Sequence, residues 1–189
     1  MTKSKSLYHL VLAGVLCAIG IIIPMFSPIK ITLDPMSFTL ASHVAIFLAL
    51  FISPSVGIAV SLGTTLGFFL GGFPLPVVLR ALTHVIWAGL GAFYLQKHPE
   101  LIDFKQLVPA RGAKLFVFGA VLGIIHALAE VCVCIPVYFG QGLSGAEIVR
   151  IILLLVFVGS FIHSMVDYAI SLLIWKPTSG TLRKSVKTA

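Results

Sequence analysis

Six apolar runs, most of them closed by proline or glycine, dominate the chain. They cover residues 7–23, ended by Pro24, then 38–52, ended at Ser53-Pro54, and 55–70, closed by Gly71-Gly72 and Pro74. The remaining three cover 75–95, 114–138 and 148–175. A helix needs about 20 mostly apolar residues to cross the hydrocarbon core, and proline and glycine fall where such helices must end. The pattern therefore predicts six transmembrane helices. The run at 38–52 is short for a full crossing, which makes it tilted or only partly lipid-exposed. The run at 7–23 ends Ile-Ile-Pro-Met with no small-residue cleavage site, so it is expected to stay in the protein as a helix.

Composition sharpens this. Of 189 residues, 59% are hydrophobic and 10% charged, against about a quarter charged in a soluble domain. A soluble enzyme is excluded. The length suits one membrane domain, residues 1–189, with no appended module. The net charge of +7 is explained by where the basic residues fall. Lys3 and Lys5 precede the first run; Lys97, Lys105, Arg111 and Lys114 flank the connection between the fourth and fifth; Lys176, Arg183, Lys184 and Lys187 follow the sixth. Lys30 and Arg150 stand on the opposite side. The positive-inside rule places both termini and the 96–113 loop in the cytoplasm. The expected fold is an all-α integral membrane protein, a compact N-in/C-in bundle, with no implied contact to nucleic acid.

Helices in lipid pack closely where small residues recur every four positions. Gly63, Gly67 and Gly71 form one such row, and Gly119, Gly123 and Ala127 another. The first run carries two, Ala13 with Cys17 and Gly14 with Ala18. Each row serves either internal packing or, on the first helix, the docking of another membrane protein. Cys17, Cys132 and Cys134 lie inside apolar runs without metal-ligand or disulfide spacing, and read as small packing residues.

Ionisable residues at membrane depth are costly, roughly 2.5–3.5 kcal/mol each at a helix centre, and therefore ask for a reason. Three i, i+4 pairs occur: Arg80 with His84, His126 with Glu130, and His163 with Asp167. Each shares one helical face, and His43 adds a single polar site. At about 1.5 Å per residue, Arg80 and His43 lie roughly 7 Å from the outer helix ends and Glu130 about 12 Å. Arg80, His84, His43, Glu130 and His126 are thus expected to line one outward-facing cavity. His163 and Asp167 are expected deeper, as a separate structural or relay pair. Two roles stand open for Arg80: an ion pair with Glu130 that fixes helix packing, or a fork that clamps a substrate carboxylate.

Gly142-Leu143-Ser144-Gly145 matches the G-x-S-G string of intramembrane serine proteases. His163 lies about 28 Å further along the same helix, out of reach of Ser144. Ser144 followed by Glu147 reads instead as a helix-capping box. A metal path through His126, Glu130, His163 and Asp167 is disfavoured by the apolar surroundings and the nearby arginine. No metal, cofactor or enzymatic activity is expected, and no G-x-x-x-x-G-K-[ST] phosphate loop occurs.

The whole pattern resembles the substrate-binding S components of energy-coupling factor (ECF) transporters, in the vitamin-type subfamily that includes pantothenate and niacin carriers. The likeness covers nearly the entire chain. It is carried by Pro24-Met25-Phe26-Ser27-Pro28-Ile29-Lys30, by Ser37-Phe38-Thr39-Leu40-Ala41-Ser42-His43, by Gly67-Phe68-Phe69-Leu70-Gly71-Gly72-Phe73-Pro74 and by Leu79-Arg80-Ala81-Leu82-Thr83-His84. The resemblance implies a bacterial plasma-membrane protein that captures a vitamin at the outer face. Its first helix would dock a transmembrane coupling subunit, and two cytosolic ATPases would drive release inside. The family's Ala-x-x-x-Ala docking surface corresponds here to Ala13-x-x-x-Cys17 and Gly14-x-x-x-Ala18. Trp87, at i+7 from Arg80, is expected on the ligand face, and Phe38 as a lid contact. The chain has no Asn and three Gln, which favours a small carboxylate over a ligand with many donors. Pantothenate is the favoured reading, with niacin the alternative. The competing class is a self-sufficient, proton-coupled secondary transporter using Glu130 or Asp167.

Overall fold

A computed structural model of the chain describes residues 3–33, 36–104, 109–140 and 142–188; the basic residue Lys105 lies outside them. Helix α1 (Lys3–Phe26) runs on through Pro24, because a proline this near a C-terminus disturbs few remaining hydrogen bonds. An antiparallel hairpin follows, β1 (Lys30–Leu33) and β2 (Met36–Thr39), pairing Lys30 with Thr39 and Ile31 with Phe38. Helices α2 (Val44–Ile52), α3 (Pro54–Leu70) and α4 (Leu75–Lys97) come next. A 3₁₀ turn (Pro99–Ile102) leads to α5 (Pro109–Phe139). The last stretch is one winding: α6 (Gly145–Arg150), a π-helical segment (Ile151–Val158) and α7 (Gly159–Thr188).

The fold is all-α apart from the hairpin, which the sequence reading missed. Residues 38–43, expected as the first turns of the second span, are instead strand and turn, and α2 keeps nine residues. Each expected span contains a helix. Among the described residues four helical stretches are long and apolar enough to cross a membrane: Ser6–Phe26, Leu75–Lys97, Arg111–Phe139 and Gly145–Gly180. α3 falls just short at 17 residues. α2, too short to cross, is the centre of the bundle; Ala45, Ile46, Phe47 and Ala49 are fully buried, and it touches α1, α3, α4 and α7. Around it α3 packs between α1 and α4, and α5 between α4 and α7. The outward surfaces carry large apolar side chains, among them Leu62, Phe69, Leu90, Phe93, Leu128 and Leu173, as lipid contact requires.

The small-residue rows mostly face inward. A Cβ at Gly63 would lie 2.5 Å from Cys17 Sγ, and one at Gly67 would meet Ile21, so both glycines let α1 close on α3. Gly119 and Gly123 do the same for Tyr168 and Phe161 on α7. Ala13 is buried and Cys17 half-buried against α3, which corrects the expectation that this row is a docking surface. Gly14 and Ala18 are exposed, and no atom of the described residues lies within 4 Å of a Cβ built on Gly14.

This contrast is testable. The Tyr168 ring cannot swing away from Gly119, because its hydroxyl donates to the Leu115 carbonyl at 3.0 Å. Gly119→Ala is expected to cost about 1–3 kcal/mol through overpacking. Gly14→Ala is expected to stay within about 0.5 kcal/mol of the parent. Thermal unfolding in detergent compares the two, and equal melting temperatures would remove the close α5–α7 contact.

Candidate functional site

Opposite the connection between α4 and α5, the hairpin, the α3–α4 turn and the start of α4 surround a cavity of about 290 Å³. Its size lies at the lower edge of small-ligand pockets, roughly 300–1,000 Å³. Cations come from α4 (Arg80) and β1 (Lys30); imidazoles from His43, His84 and His163; hydroxyls from Thr39, Ser42 and Thr64. One wall is aromatic, where Phe68 and Phe73 stack at 4.6 Å with an interplanar angle of 19°. The turn between them uses Gly72 at φ 73°, a conformation that glycine alone adopts without strain.

In the wall of this cavity the half-buried Arg80 and the buried Glu130 form an ion pair. Nε lies 3.0 Å from Oε1, and Nη2 donates to Oε2 at 3.0 Å. Glu130 also accepts from Ser160 Oγ and stands 3.3 Å from His126 Nε2. Of the two roles open to Arg80, the structure shows the ion pair. Lys30 differs: among the described residues no carboxylate lies within ion-pair distance of it.

Asp167, fully buried on α7, organises the other half. Its Oδ1 accepts from the Ala41 N–H at 2.8 Å, and its Oδ2 accepts from the His43 N–H at 2.9 Å. The Oδ2 also faces His43 Nδ1 at 3.0 Å and His163 Nε2 at 3.5 Å. One carboxylate thus caps the start of α2 from a distant helix, a service normally supplied by a local Ser, Thr, Asp or Asn. It holds Ala41 at φ 67°, a left-handed conformation costing an ordinary residue roughly 1–2 kcal/mol.

His163 and Asp167 therefore belong to the same cluster as His43, which corrects their expected separation. Counting from the start of span six overestimated their depth, because the α6–α7 winding is far longer than a crossing requires. Counting from residue 38 underestimated that of His43, because the hairpin carries the chain into the bundle before α2 begins.

The expected site residues sort as follows. Arg80, His84, His43 and Glu130 line the cavity. His126 is fully buried behind them. Trp87, also fully buried, packs on Phe47 and the histidines and does not line the cavity; seven residues along α4 place it about 10 Å deeper than Arg80. Phe38 sits on β2, 5.5 Å from His163 and over Gly159, fastening the hairpin to α7 instead of covering the cavity. Lys30, Thr39, Ser42, Phe68 and Phe73 were missed because they meet only through the hairpin and the α3–α4 turn. Ser144 caps α6: its Oγ accepts from the Glu147 N–H at 3.3 Å and the Glu147 carboxylate accepts from the Ser144 N–H at 2.9 Å.

No family model matches the chain, and no solved structure matches it significantly. The niacin transporter NiaX of Lactococcus lactis subsp. cremoris (strain MG1363) is 38% identical to it over 174 residues, which span 90% of this chain and 74% of the relative.

Proposed function

The chain belongs to the family of that niacin transporter, the vitamin S components of ECF transporters, and we propose that it captures nicotinate for uptake. It is a multi-pass protein of the bacterial plasma membrane. The identity to a niacin transporter over most of the chain is the observation that carries the proposal. It favours niacin over pantothenate, toward which the sequence alone leaned.

The cavity suits this ligand. Its modest volume fits a single substituted ring, and the stacked Phe68–Phe73 wall offers a face for one. Lys30 meets the carboxylate as the lining cation without an acidic partner among the described residues. Arg80, oriented by Glu130, offers its remaining N–H groups. The cavity lies at the end of the bundle away from the basic α4–α5 connection, so the positive-inside rule turns it outward.

The protein is read as a binding subunit and not an enzyme. Energy would come from a coupling subunit and cytosolic ATPases, since the chain has no phosphate loop of its own. The exposed Gly14–Ala18 face of α1 is the docking surface this reading assigns. Against a stand-alone proton-coupled carrier stands the engagement of both buried carboxylates, Glu130 and Asp167, by several partners each.

Calorimetric titration of the purified chain without partners tests the proposal. Nicotinate is expected to bind one to one. Nicotinamide, which lacks the charge, and pantothenate are each expected to bind at least about tenfold more weakly, a difference of about 1.4 kcal/mol. Absence of nicotinate binding, or equal affinity for nicotinamide, would refute it.

A further inference from the structure

Three imidazoles from three helices meet at the inner end of the cavity: His43 at the start of α2 and His84 on α4 in its lining, and His126 on α5 behind them. Their ring centroids stand 4.8 Å (His43–His84), 4.7 Å (His43–His126) and 5.0 Å (His84–His126) apart, and one nitrogen from each falls within 4.8 Å of the others. All three are buried, with residue exposures of 7%, 6% and 0%. Among the described residues His84 has no hydrogen-bond partner on either ring nitrogen. Neither nitrogen of His126 makes a hydrogen bond among the described residues, although its Nε2 stands 3.3 Å from Glu130 Oε1. Buried polar atoms are nearly always satisfied, so something polar belongs between these rings.

We infer that His43, His84 and His126 form a three-imidazole site for a divalent transition-metal ion of the zinc class, its fourth position open to the cavity. Metal–nitrogen bonds of about 2.0–2.1 Å in tetrahedral geometry place ring centroids roughly 5 Å apart and ligand nitrogens roughly 3.3 Å apart; the centroids have that spacing, and the nitrogens, within 4.8 Å of one another, reach theirs by rotation of the rings. A metal-bound histidine is usually oriented by a carboxylate on its other nitrogen. Asp167 takes that place on His43 Nδ1, leaving Nε2 for the metal; at His126 the Glu130 Oε1 stands 3.3 Å from Nε2, close enough to take it once Nδ1 is bound. Asp167 accepts from two backbone N–H groups and faces His43 Nδ1, so it serves here as the orienting partner.

Charge points the same way. Arg80 from α4, Glu130 from α5 and Asp167 from α7 face the rings, and with neutral imidazoles they sum to one negative charge. A divalent ion reverses that to one positive charge, which a carboxylate ligand in the adjoining cavity neutralises. Only this charge argument rests on the vitamin reading; the ring geometry does not.

The test uses the full chain, purified through a histidine-free tag, stripped with chelator and titrated with Co²⁺ and then Zn²⁺. One Co²⁺ per chain is expected, with the intense visible bands of a four-coordinate ion, displaced by Zn²⁺. X-ray absorption of the zinc-loaded wild type should count three imidazoles, a readout independent of any variant. His84→Gln is expected to weaken binding by at least about tenfold. Metal no higher than in a detergent blank, a pale six-coordinate Co²⁺ spectrum, or unchanged affinity in a folded His84→Gln would overturn the site. Nicotinate titrated in parallel separates the two readings. Metal binding without nicotinate binding keeps the site and removes the vitamin assignment. Nicotinate binding by a chain that takes up no metal does the reverse.

Discussion

Arg80→Met is expected to lower folding stability by roughly 3–5 kcal/mol and to weaken nicotinate binding by at least about tenfold. The double variant Arg80→Met/Glu130→Leu is expected to recover most of the stability and none of the binding. The reasoning separates the ion pair from the cation. Glu130 is 2% exposed; removing its partner leaves a carboxylate in an apolar interior with Ser160 and His126 beside it but, among the described residues, no cation to pair with. That loss is an uncompensated buried charge, and it is much larger than the net worth of the pair. Replacing both members with apolar side chains of similar volume removes the charge together with its desolvation cost, which is often neutral or stabilising. Ligand binding follows a different rule, since the apolar pair offers the carboxylate nothing. Thermal unfolding and calorimetry on the three proteins decide it. A single variant as stable as the parent would mean that water reaches Glu130. A double variant binding nicotinate normally would remove Arg80 from the binding surface.

What could be read from the sequence was the part governed by local pattern. The helical runs, their proline and glycine punctuation and the Ser144–Glu147 cap are all short-range, and each expected span contains a helix. Arg80, His84, His43 and Glu130 were found because an ionisable group inside an apolar run needs a reason wherever it stands. What failed was geometry built from distant pieces. Phe38 and Ser42 continue an apolar run on paper, yet the chain there is strand and turn, because Asp167, more than 120 residues away, supplies the hydrogen bonds. Ala41 in the left-handed region has no local signature at all. Trp87 shares a helical face with Arg80, but a face is about 10 Å long over seven residues, and a cavity of about 290 Å³ does not reach that far. The convergence of His43, His84 and His126 needs three helices placed together, and no spacing within one helix announces it.

Asp167→Ala is expected to destabilise the protein by roughly 3–5 kcal/mol and to release the hairpin from the bundle. Three donors lose their acceptor at once: the Ala41 and His43 N–H groups and His43 Nδ1. Each buried donor left unsatisfied costs about 1–3 kcal/mol, and water entering the gap repays part of that sum. Asp167→Asn should be milder, because one oxygen still accepts, but its NH₂ must face one of the same donors. The released segment also relaxes, since Ala41 holds φ 67° against an intrinsic preference worth roughly 1–2 kcal/mol. Ala41→Gly removes that strain. Added to Asp167→Ala it should restore little, because the strain is already relieved once the turn lets go. In the parent it should stabilise by up to about 1 kcal/mol. This non-additivity marks residues that act as one unit. Lys30, exposed on the hairpin, reports the release: limited trypsin digestion should cut after it faster in Asp167→Ala than in the parent. Unchanged unfolding, or equal protection at Lys30, would show that the hairpin is held by Phe38 over Gly159 and His163, with the carboxylate a bystander.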